Sequence, residues 1–269
     1  MPQIIAIHSY RGGTGKSNLA ANLATAIALQ GKRVAIVDTD LQSPGIHILF
    51  GLGQTLNKSL NDFLWNRLPI QNTAYDASRA FSLSGTGKLF CVPASPDPNE
   101  IARILSAGYN ISLLNEGFRQ LIQHLKLDYL FLDTHPGLSR ETLLSIAISH
   151  LLLLILRPDQ QDLQGTAVTV EVARQLQVNK MMLVLNKVLA RSDAPQLQQT
   201  LESDYNIPVA GIFPLSEEMM AVGSRGLFYL QYPHHPLTEI FTQVAAKITH
   251  PQTRSPQTQP QTVVSAVRR

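Results

Sequence analysis

Apolar and polar positions alternate along this chain in blocks, with short apolar runs separated by segments of helical periodicity. Seven runs have this character: QIIAIHS, KRVAIVDTD, KLFCVPAS, LDYLFLDTH, LLLLILRPD, MMLVLNKV and VAGIFPL. Runs that are apolar on both faces indicate strands covered on both sides, and the intervening helical segments are typical of parallel connections. The pattern therefore predicts an α/β fold: a doubly wound, mostly parallel sheet with helices on both faces.

Two helices can be placed from the spacing of their apolar residues. The first is predicted from about Lys16 to Gln30, with Gly31 as its stop, and its apolar stripe comprises Leu19, Leu23, Ala26 and Ile27. The second is predicted over Pro236 to Ile248, and its polar face carries one lysine, whereas helices that lie on membranes are rich in Lys and Arg. We therefore expect its stripe to pack into the core: Leu237, Ile240, Phe241, Val244 and Ile248.

The length of 269 residues predicts one large α/β domain, which we place at residues 1–250. From Pro251 onward the composition turns to Pro, Gln, Thr and Ser, so residues 251–269 are predicted to be a flexible tail. The single cysteine, Cys91, excludes a disulfide framework and a Cys-rich metal cage within one chain. Because the sequence shows neither a secretory leader nor a membrane-length apolar run, a cytoplasmic location is expected.

Net charge gives little information about partners. The formal charge is +3, but the last nineteen residues contribute three arginines and no acid, which leaves 19 basic and 19 acidic residues in the body. A balanced body gives no general argument for nucleic-acid binding, so a surface of that kind would have to be a local basic patch.

The stretch HSYRGGTGKSNLAANLA, residues 8–24, carries the strongest chemistry. Glycines before a helix let backbone N–H groups approach an anion closely, and the helix start favours phosphate. A Lys–Ser pair at the end of such a loop suits the β- and γ-phosphates and Mg²⁺. The general phosphate-loop pattern requires glycine where Tyr10 stands, so the pattern here is the narrower basic-GGxGK-S/T. The predicted phosphate-binding residues are Gly12, Gly13, Thr14, Gly15, Lys16, Ser17 and Asn18.

Several segments of the chain resemble the ParA/MinD family of ATPases, and they occur in the family's order over about 250 residues. RGGTGKS resembles the deviant Walker A box, KGGxGK[ST]. VAIVDTDLQSPG resembles the second box, with Asp38 and Asp40 at its paired aspartates, and DYLFLDTHPGLS resembles the Walker B strand and switch, with Asp133 and Gly137 in the matching places.

Two further resemblances concern the nucleotide base. LVLNKV is similar to the strand whose end contacts adenine, with Asn186 at the matching position, and GIFPLS is similar to the loop that closes over the base, where Pro214 stands. The family resemblance implies ATP and Mg²⁺ as cofactors and an ATP-dependent homodimer in which two chains face each other across two nucleotides.

The aspartates also make chemical sense from their placement. Ligands of open α/β sheets bind at the carboxyl ends of the strands, where Asp38, Asp40 and Asp133 are predicted to meet near the γ-phosphate. We assign Asp40 to orienting the attacking water, Asp38 to the same switch, and Asp133 to Mg²⁺. The predicted catalytic set is Asp40, Asp38, Lys16 and Arg11, and the predicted metal set is Ser17, Asp133 and Asp38. His135, inside the switch, is a candidate sensor of the γ-phosphate, although a local loop hydrogen bond is the favoured interpretation.

Arg11 departs from the resemblance, because the family has a signature lysine at this place that reaches the partner's phosphates across the dimer. Arginine forks onto phosphate oxygens but is longer and planar, so it replaces lysine poorly in a tight space. Either Arg11 makes the contact in trans, or another basic residue such as Arg157 or Arg140 does. ParA-like proteins that position carboxysomes in cyanobacteria also lack the signature lysine, and this chain is similar to them in that respect.

The resemblance implies a positioning or partition function. The expected protein dimerises with ATP, binds DNA without sequence preference, associates with the nucleoid in that state, and is released when a ParB-like or McdB-like adaptor stimulates hydrolysis. Its cargo could be a plasmid, a chromosome or an organelle such as a carboxysome. The local basic candidates for DNA contact are Lys180, Lys187, Arg191, Arg225 and Lys247.

Two alternatives stay open. One is a MinD-like ATPase that positions cell-division, pilus or chemotaxis assemblies, and the other is a nucleotide-gated scaffold with little hydrolysis. The terminal segment is interrupted by Pro251, Pro256 and Pro260, which argues against membrane attachment by a basic C-terminal helix. Iron–sulfur carriers of similar fold need paired cysteines to bridge a cluster between subunits, and one cysteine argues against that class.

Overall fold

The computed structural model describes residues 1–53, 55–78 and 86–250. The predicted flexible tail, residues 251–269, lies outside the described residues. The described strands form one eight-stranded sheet in the order β3-β4-β2-β5-β1-β6-β7-β8. Its strands are β1 (Gln3–His8), β2 (Arg33–Asp38), β3 (Tyr75–Asp76), β4 (Lys88–Val92), β5 (Tyr129–Asp133), β6 (Leu151–Leu156), β7 (Met181–Val188) and β8 (Val209–Pro214).

All neighbouring strands run parallel except β3, which pairs antiparallel with β4 at one edge. The seven predicted runs are therefore the seven parallel strands. The two-residue strand β3 escaped prediction because it is too short to show any periodicity. The order reverses on either side of β1, so the turn after β1 lies at the point of the sheet where ligands of open α/β folds bind.

Helices cover both faces of the sheet, as predicted. The described helices are α1 (Lys16–Leu29), α2 (Ile46–Leu49), α3 (Leu60–Leu64), α4 (Pro98–Ala107), α5 (Ser112–Leu125), α6 (Arg140–Ala147), α7 (Gln160–Gln175), α8 (Ala194–Tyr205), α9 (Glu217–Val222), α10 (Phe228–Gln231) and α11 (Pro236–Thr249), with a 3-10 turn at Ile70–Thr73. Buried side chains of α1, α2, α10 and α11 form one hydrophobic layer, and those of α3 to α8 form two clusters on the opposite face. No helix in the described parts of the chain is long and apolar enough to cross a membrane.

Helix α1 is buried more completely than its predicted stripe implied. Besides the four stripe residues, Ala20, Ala21, Asn22, Ala24 and Thr25 are also buried. The reason is that α1 lies between the sheet and α11, so two of its faces are covered. Small alanines on the second face allow α11 to approach closely.

The predicted core packing of α11 is confirmed: Leu237, Phe241, Val244 and Ile248 are buried, and Ile240 packs against the cluster. Lys247 of the same helix donates to the carbonyl oxygen of Ala210 at 2.9 Å. Because Lys247 is hydrogen-bonded to β8, it is a weaker candidate for contact with DNA.

Candidate active site

The loop between β1 and α1 forms a glycine-lined anion cradle. Gly13 and Gly15 have φ of 78° and 91°, in the left-handed region that favours glycine. Gly15 caps α1, and no side chain caps this helix and no acidic residue occupies its first turn. The first N–H groups of α1 and its positive dipole end therefore remain available to a negatively charged ligand.

The end of β7 holds this loop from behind. Asn186 Nδ2 donates to the carbonyl oxygen of Thr14 at 2.7 Å, and Lys187 Nζ donates to that of Gly13 at 2.8 Å. A Cβ on Gly15 would lie 2.5 Å from Asn186 Nδ2, so any other residue would force Asn186 to move. Lys187, which the sequence analysis considered for DNA contact, instead braces the phosphate loop.

A cavity of about 180 Å³ adjoins the cradle. Four predicted cofactor residues line it, namely Gly15, Asn18, Asn186 and Pro214, together with the apolar side chains of Leu215, Met219 and Met220. Apolar walls with a few polar groups suit a planar heterocycle. The two methionines were not predicted, because a lone Met pair after a strand has no distinctive spacing.

Lys16 and Asp133 form a buried ion pair beneath the cradle. Lys16 Nζ lies 2.7 Å from Asp133 Oδ1, and the two side chains are 7% and 1% exposed. The sequence predicted that both residues lie near the γ-phosphate but did not predict their direct contact. Burying either charge alone would be costly, so each stabilises the other.

Asp38 lies beside Asp133 on the neighbouring strand and is fully buried. Its carboxylate accepts backbone N–H groups of Asp40, Gly45 and Ile46 at 3.0 to 3.1 Å. Burial, followed by the charge of Asp133, raises the pKa of Asp38 to about 7. Asp38 thus folds the loop after β2, a local role that the sequence did not predict, while its assignments to catalysis and metal binding stay predictions.

Asp40 lies in the same loop and faces the switch after β5. His135 Nδ1 is 2.7 Å from Asp40 Oδ1, and the backbone N–H of Ser43 donates to the same oxygen at 3.0 Å. Gly137, with φ of 78°, ends this switch and donates its N–H to the carbonyl of Ser9 at the base of the phosphate loop. The structure therefore brings the predicted water-orienting carboxylate and the switch together.

His8 is a buried residue that the sequence analysis did not single out. Its Nδ1 lies 2.8 Å from Thr134 Oγ1, while its Nε2 is buried without a hydrogen-bond partner. Burial, then the charge of Lys16, then that of His135, lowers the pKa of His8 to about 3. The imidazole is accordingly neutral at physiological pH, which keeps a second positive charge away from Lys16.

Arg11 lies on the outer side of the cradle and contacts the start of α7. Its guanidinium donates to Gln161 Oε1 and lies 3.9 Å from a carboxylate oxygen of Asp159 and of Asp162. The Arg11 side chain is 42% exposed. The two ion pairs are long, so each contributes little, and the hydrogen bond to Gln161 is the closest of these contacts.

Arg157, the second candidate for the phosphate contact in trans, is bound more closely to the same two carboxylates. Its Nε lies 2.9 Å from Asp162 Oδ2 and its Nη2 lies 3.2 Å from Asp159 Oδ2. Hydrogen bonding to Asp162 raises the pKa of Arg157. The two arginines that the sequence left as alternatives therefore share one acidic pair, a coupling that no spacing in the sequence reveals.

Comparison with known proteins identifies the family. The sequence model of the CobQ/CobB/MinD/ParA nucleotide binding domain matches residues 5–228. The chain belongs to this family. It is accordingly a P-loop ATPase of the ParA/MinD type, with ATP and Mg²⁺ as cofactors.

Individual relatives agree with this assignment. An uncharacterized ATP-binding protein of Methanocaldococcus jannaschii is 24% identical over 246 residues, which cover 91% of this chain and 86% of that protein. MinD from Pyrococcus horikoshii, solved with Mg-ADP, is 20% identical with a TM-score of 0.77 and covers 93% of this chain and 97% of its own. A Cyanothece McdA variant solved with ATP is 16% identical with a TM-score of 0.73, covering 94% and 99%. The last two likenesses show the shared fold.

The residues of this ParA/MinD-type chain fit Mg²⁺ and a triphosphate. Ser17 is half-buried at the first turn of α1, and Asp133 lies under the cradle. Among the described residues, no group of three or more His, Cys, Asp or Glu side chains could hold a metal. A set of one hydroxyl and one or two carboxylates suits Mg²⁺, which takes its remaining ligands from phosphates and water.

Proposed function

We propose that this ATPase, with residues 1–250 as its catalytic domain, is a dimerising switch that positions or segregates an intracellular cargo. In this proposal ATP closes two chains face to face and gates non-specific DNA binding at the nucleoid. A ParB-like or McdB-like adaptor stimulates hydrolysis, which releases the dimer. The MinD and McdA structural neighbours favour a positioning function over the metabolic branches of the family.

The observation that carries the proposal is the position of Arg11. The Arg11 side chain at the outer rim of the cradle is 42% exposed and is held by a hydrogen bond to Gln161 and two 3.9 Å ion pairs. It can exchange these contacts for a partner's phosphates, because Arg157 also neutralises both carboxylates. A partner's triphosphate offers the stronger, bidentate phosphate contacts that arginine prefers. Arg157 is less suited to this contact, because its guanidinium and backbone N–H are both bound by Asp162.

Each remaining residue has a defined task in this mechanism. Lys16 exchanges Asp133 for the β- and γ-phosphate oxygens, and Ser17 and Asp133 would hold Mg²⁺, which when bound neutralises phosphate charge. Asp40 orients the attacking water. Asn186 and Pro214 position the base while Asn186 keeps the phosphate loop in place. Gly137 couples the switch to the loop through the Ser9 carbonyl.

Dimerisation is tested by light scattering of the protein with ATP and with ADP, using Asp40→Ala to stop turnover. We expect Asp40→Ala to bind ATP normally, to hydrolyse none, and to run as a dimer with ATP only. Adding Arg11→Ala to this variant should return it to a monomer, whereas Arg157→Ala should not. A dimer that forms without ATP would contradict ATP-gated dimerisation. A dimer that survives Arg11→Ala but not Arg157→Ala would assign the contact in trans to Arg157.

DNA binding is supported by exposed basic residues on the described surface, notably Lys180, Arg191 and Arg225. The expected result is an electrophoretic shift of unrelated DNA sequences by Asp40→Ala with ATP, which disappears with ADP and weakens steeply with salt. Charge reversal at Arg191 should weaken the shift without changing ATP affinity. Shifts that persist at high salt or without nucleotide would contradict this mode of binding.

A further inference from the structure

We propose that His135 is a positioning residue for Asp40, fixing one carboxylate oxygen so that the other faces the attacking water; this inference rests on the hydrolytic role proposed for Asp40. The two residues come from different loops, and neither the family match nor the fold assigns a role to His135. The carrying observation is the 2.7 Å contact between His135 Nδ1 and Asp40 Oδ1.

The two hydrogen bonds to the Asp40 side chain end on the same oxygen. His135 Nδ1 and the backbone N–H of Ser43 both reach Oδ1, at 2.7 and 3.0 Å. Among the described residues, none donates a hydrogen bond to Asp40 Oδ2, and that atom is not among the fully buried, unpartnered polar atoms. One oxygen is therefore held by the protein, and the other is left to accept a hydrogen bond from a ligand or water.

The backbone around His135 is fixed from three sides, so the Cα of His135 is held in place relative to Asp40. The N–H of Thr134 donates to the Ile7 carbonyl at 3.2 Å, and Thr142 Oγ1 donates to the His135 carbonyl at 3.1 Å. Two residues later, Gly137 N–H donates to the carbonyl of Ser9. These bonds attach the switch to β1 and to the phosphate loop, so the imidazole is aimed at Asp40 by the same elements that hold the phosphates.

The chemistry sets the direction of this hydrogen bond. In the proposed arrangement Asp40 Oδ1 accepts, which requires the His135 tautomer with its proton on Nδ1. A donor fixed at Oδ1 orients the plane of the carboxylate before substrate binds, and such pre-orientation lowers the barrier because less freedom is lost in the transition state. With the Ser43 N–H as its only donor, the carboxylate of Asp40 could still rotate about that one hydrogen bond.

Two other interpretations give different kinetics. If His135 restrained Asp40 in an idle position, removing the ring would raise kcat. If the pair only braced two loops, removing the ring would lower stability and nucleotide affinity together, with no special recovery by another donor. Only a positioning role predicts that kcat falls in His135→Ala and is restored by the side-chain amide of His135→Asn.

The kinetic test compares His135→Ala, His135→Asn and the control His124→Ala. His124 lies on the exposed face of α5, where its Nδ1 contacts the carbonyl of Gln120 in the same helix. We expect His135→Ala to lower kcat by about 10- to 100-fold while KM for ATP stays within about 2-fold, because only orientation is lost. The Asn amide can donate to Oδ1, so His135→Asn should recover most of kcat, and the His124 variant should match wild type.

A second readout needs neither nucleotide nor metal. Imidazole ¹⁵N spectra of the nucleotide-free protein should show His135 protonated at Nδ1, and Asp40→Ala should shift that resonance while leaving the His124 signal in place. If the chemical shift of the His135 imidazole does not change in Asp40→Ala, the contact between the two side chains is refuted.

The outcomes also separate this inference from the function on which it rests. Hydrolysis that survives Asp40→Ala would refute the role of Asp40. Hydrolysis that is abolished by Asp40→Ala but unchanged or raised in His135→Ala would refute only the positioning role of His135. An equal loss of kcat, ATP affinity and melting temperature in both His135 variants would assign the residue to bracing the loops.

Discussion

At Gly15 the backbone has φ of 91°, and a Cβ would lie 2.5 Å from Asn186 Nδ2. We predict that Gly15→Ala lowers the free energy of unfolding by about 1–3 kcal/mol, since an L-residue is strained at this φ. ATP affinity should fall as well, because Asn186 must move and release the Thr14 carbonyl. Urea unfolding and titration with a fluorescent ATP analogue measure the two effects.

Gly12→Ala is the matched control for stability. Its added Cβ would meet only Pro136 Cγ, at 3.9 Å, and Gly12 has no positive φ. We expect its unfolding free energy to stay within about 0.5 kcal/mol of wild type. Equal destabilisation by the two alanines would show that the loop is not strained at Gly15.

His8 predicts a specific dependence of stability on pH. Its pKa is about 3 in the folded protein, against an ordinary value of 6.5, so the unfolded chain binds one more proton between these values. The free energy of unfolding should therefore fall as pH falls below 6.5, with His8 contributing up to about 2 kcal/mol of loss by pH 5. Urea unfolding at pH 5, 6 and 7 measures this slope.

The comparison must be made with His8→Asn, because Asp38 acts in the opposite direction. Its pKa of about 7 means that the folded protein holds a proton that the unfolded chain releases, so stability falls as pH rises from about 4 to 7. Asn can keep a hydrogen bond to Thr134 but does not titrate. If stability depends on pH equally in His8→Asn and in wild type, the folded protein protonates His8 as readily as the unfolded chain does.

The individual residues of the site were predictable, whereas their pairings were not. Asp38, Asp40 and Asp133 follow apolar runs directly, and parallel strands end at one edge of the sheet, so their proximity follows from the sequence. Lys187 bracing the Gly13 carbonyl and His135 facing Asp40 depend on side-chain directions across loops, and these directions are set by tertiary packing.

Among the helices, α11 allows the contribution of core packing to stability to be tested. Phe241 is fully buried and its ring lies 4.6 Å from that of Phe213, centroid to centroid. We predict that Phe241→Ala lowers the free energy of unfolding by about 3–5 kcal/mol, through lost burial and a residual cavity. Thermal and urea unfolding measure this loss. The exposed Gln243 on the same helix provides Gln243→Ala, which should change stability by no more than about 0.5 kcal/mol.

The sequence predicts a helix or strand well where a single hydrophobic period dominates the segment. The seven parallel strands and the bounds of α1 and α11 follow from apolar runs and helical spacing. The second buried face of α1 did not follow, because alanine is compatible with both exposed and buried positions and only the neighbouring helix decides. The short α9, which supplies Met219 and Met220 to the cavity, likewise has too few residues to show a pattern.

For the whole molecule, the charge distribution separates the body from the C-terminal segment. A chain truncated after His250 loses three arginines and is formally neutral. We predict an unchanged melting temperature and unchanged ATP affinity for this truncated chain, since α11 already ends at Thr249. Its DNA affinity should depend less on salt, with the slope of log affinity against log salt reduced by at most about 3. A lower melting temperature would show instead that the segment packs on the body.

In the ion pair between Lys16 and Asp133 the chain supplies its own counter-ion for the buried ammonium. If Lys16 binds phosphate and Asp133 binds a divalent cation, as proposed, loading would be an exchange reaction in which this ion pair must open first. Nucleotide without that cation would strip Asp133 of its neutralising neighbour and leave it buried next to Asp38. We therefore expect nucleotide and cation to bind together rather than one after the other.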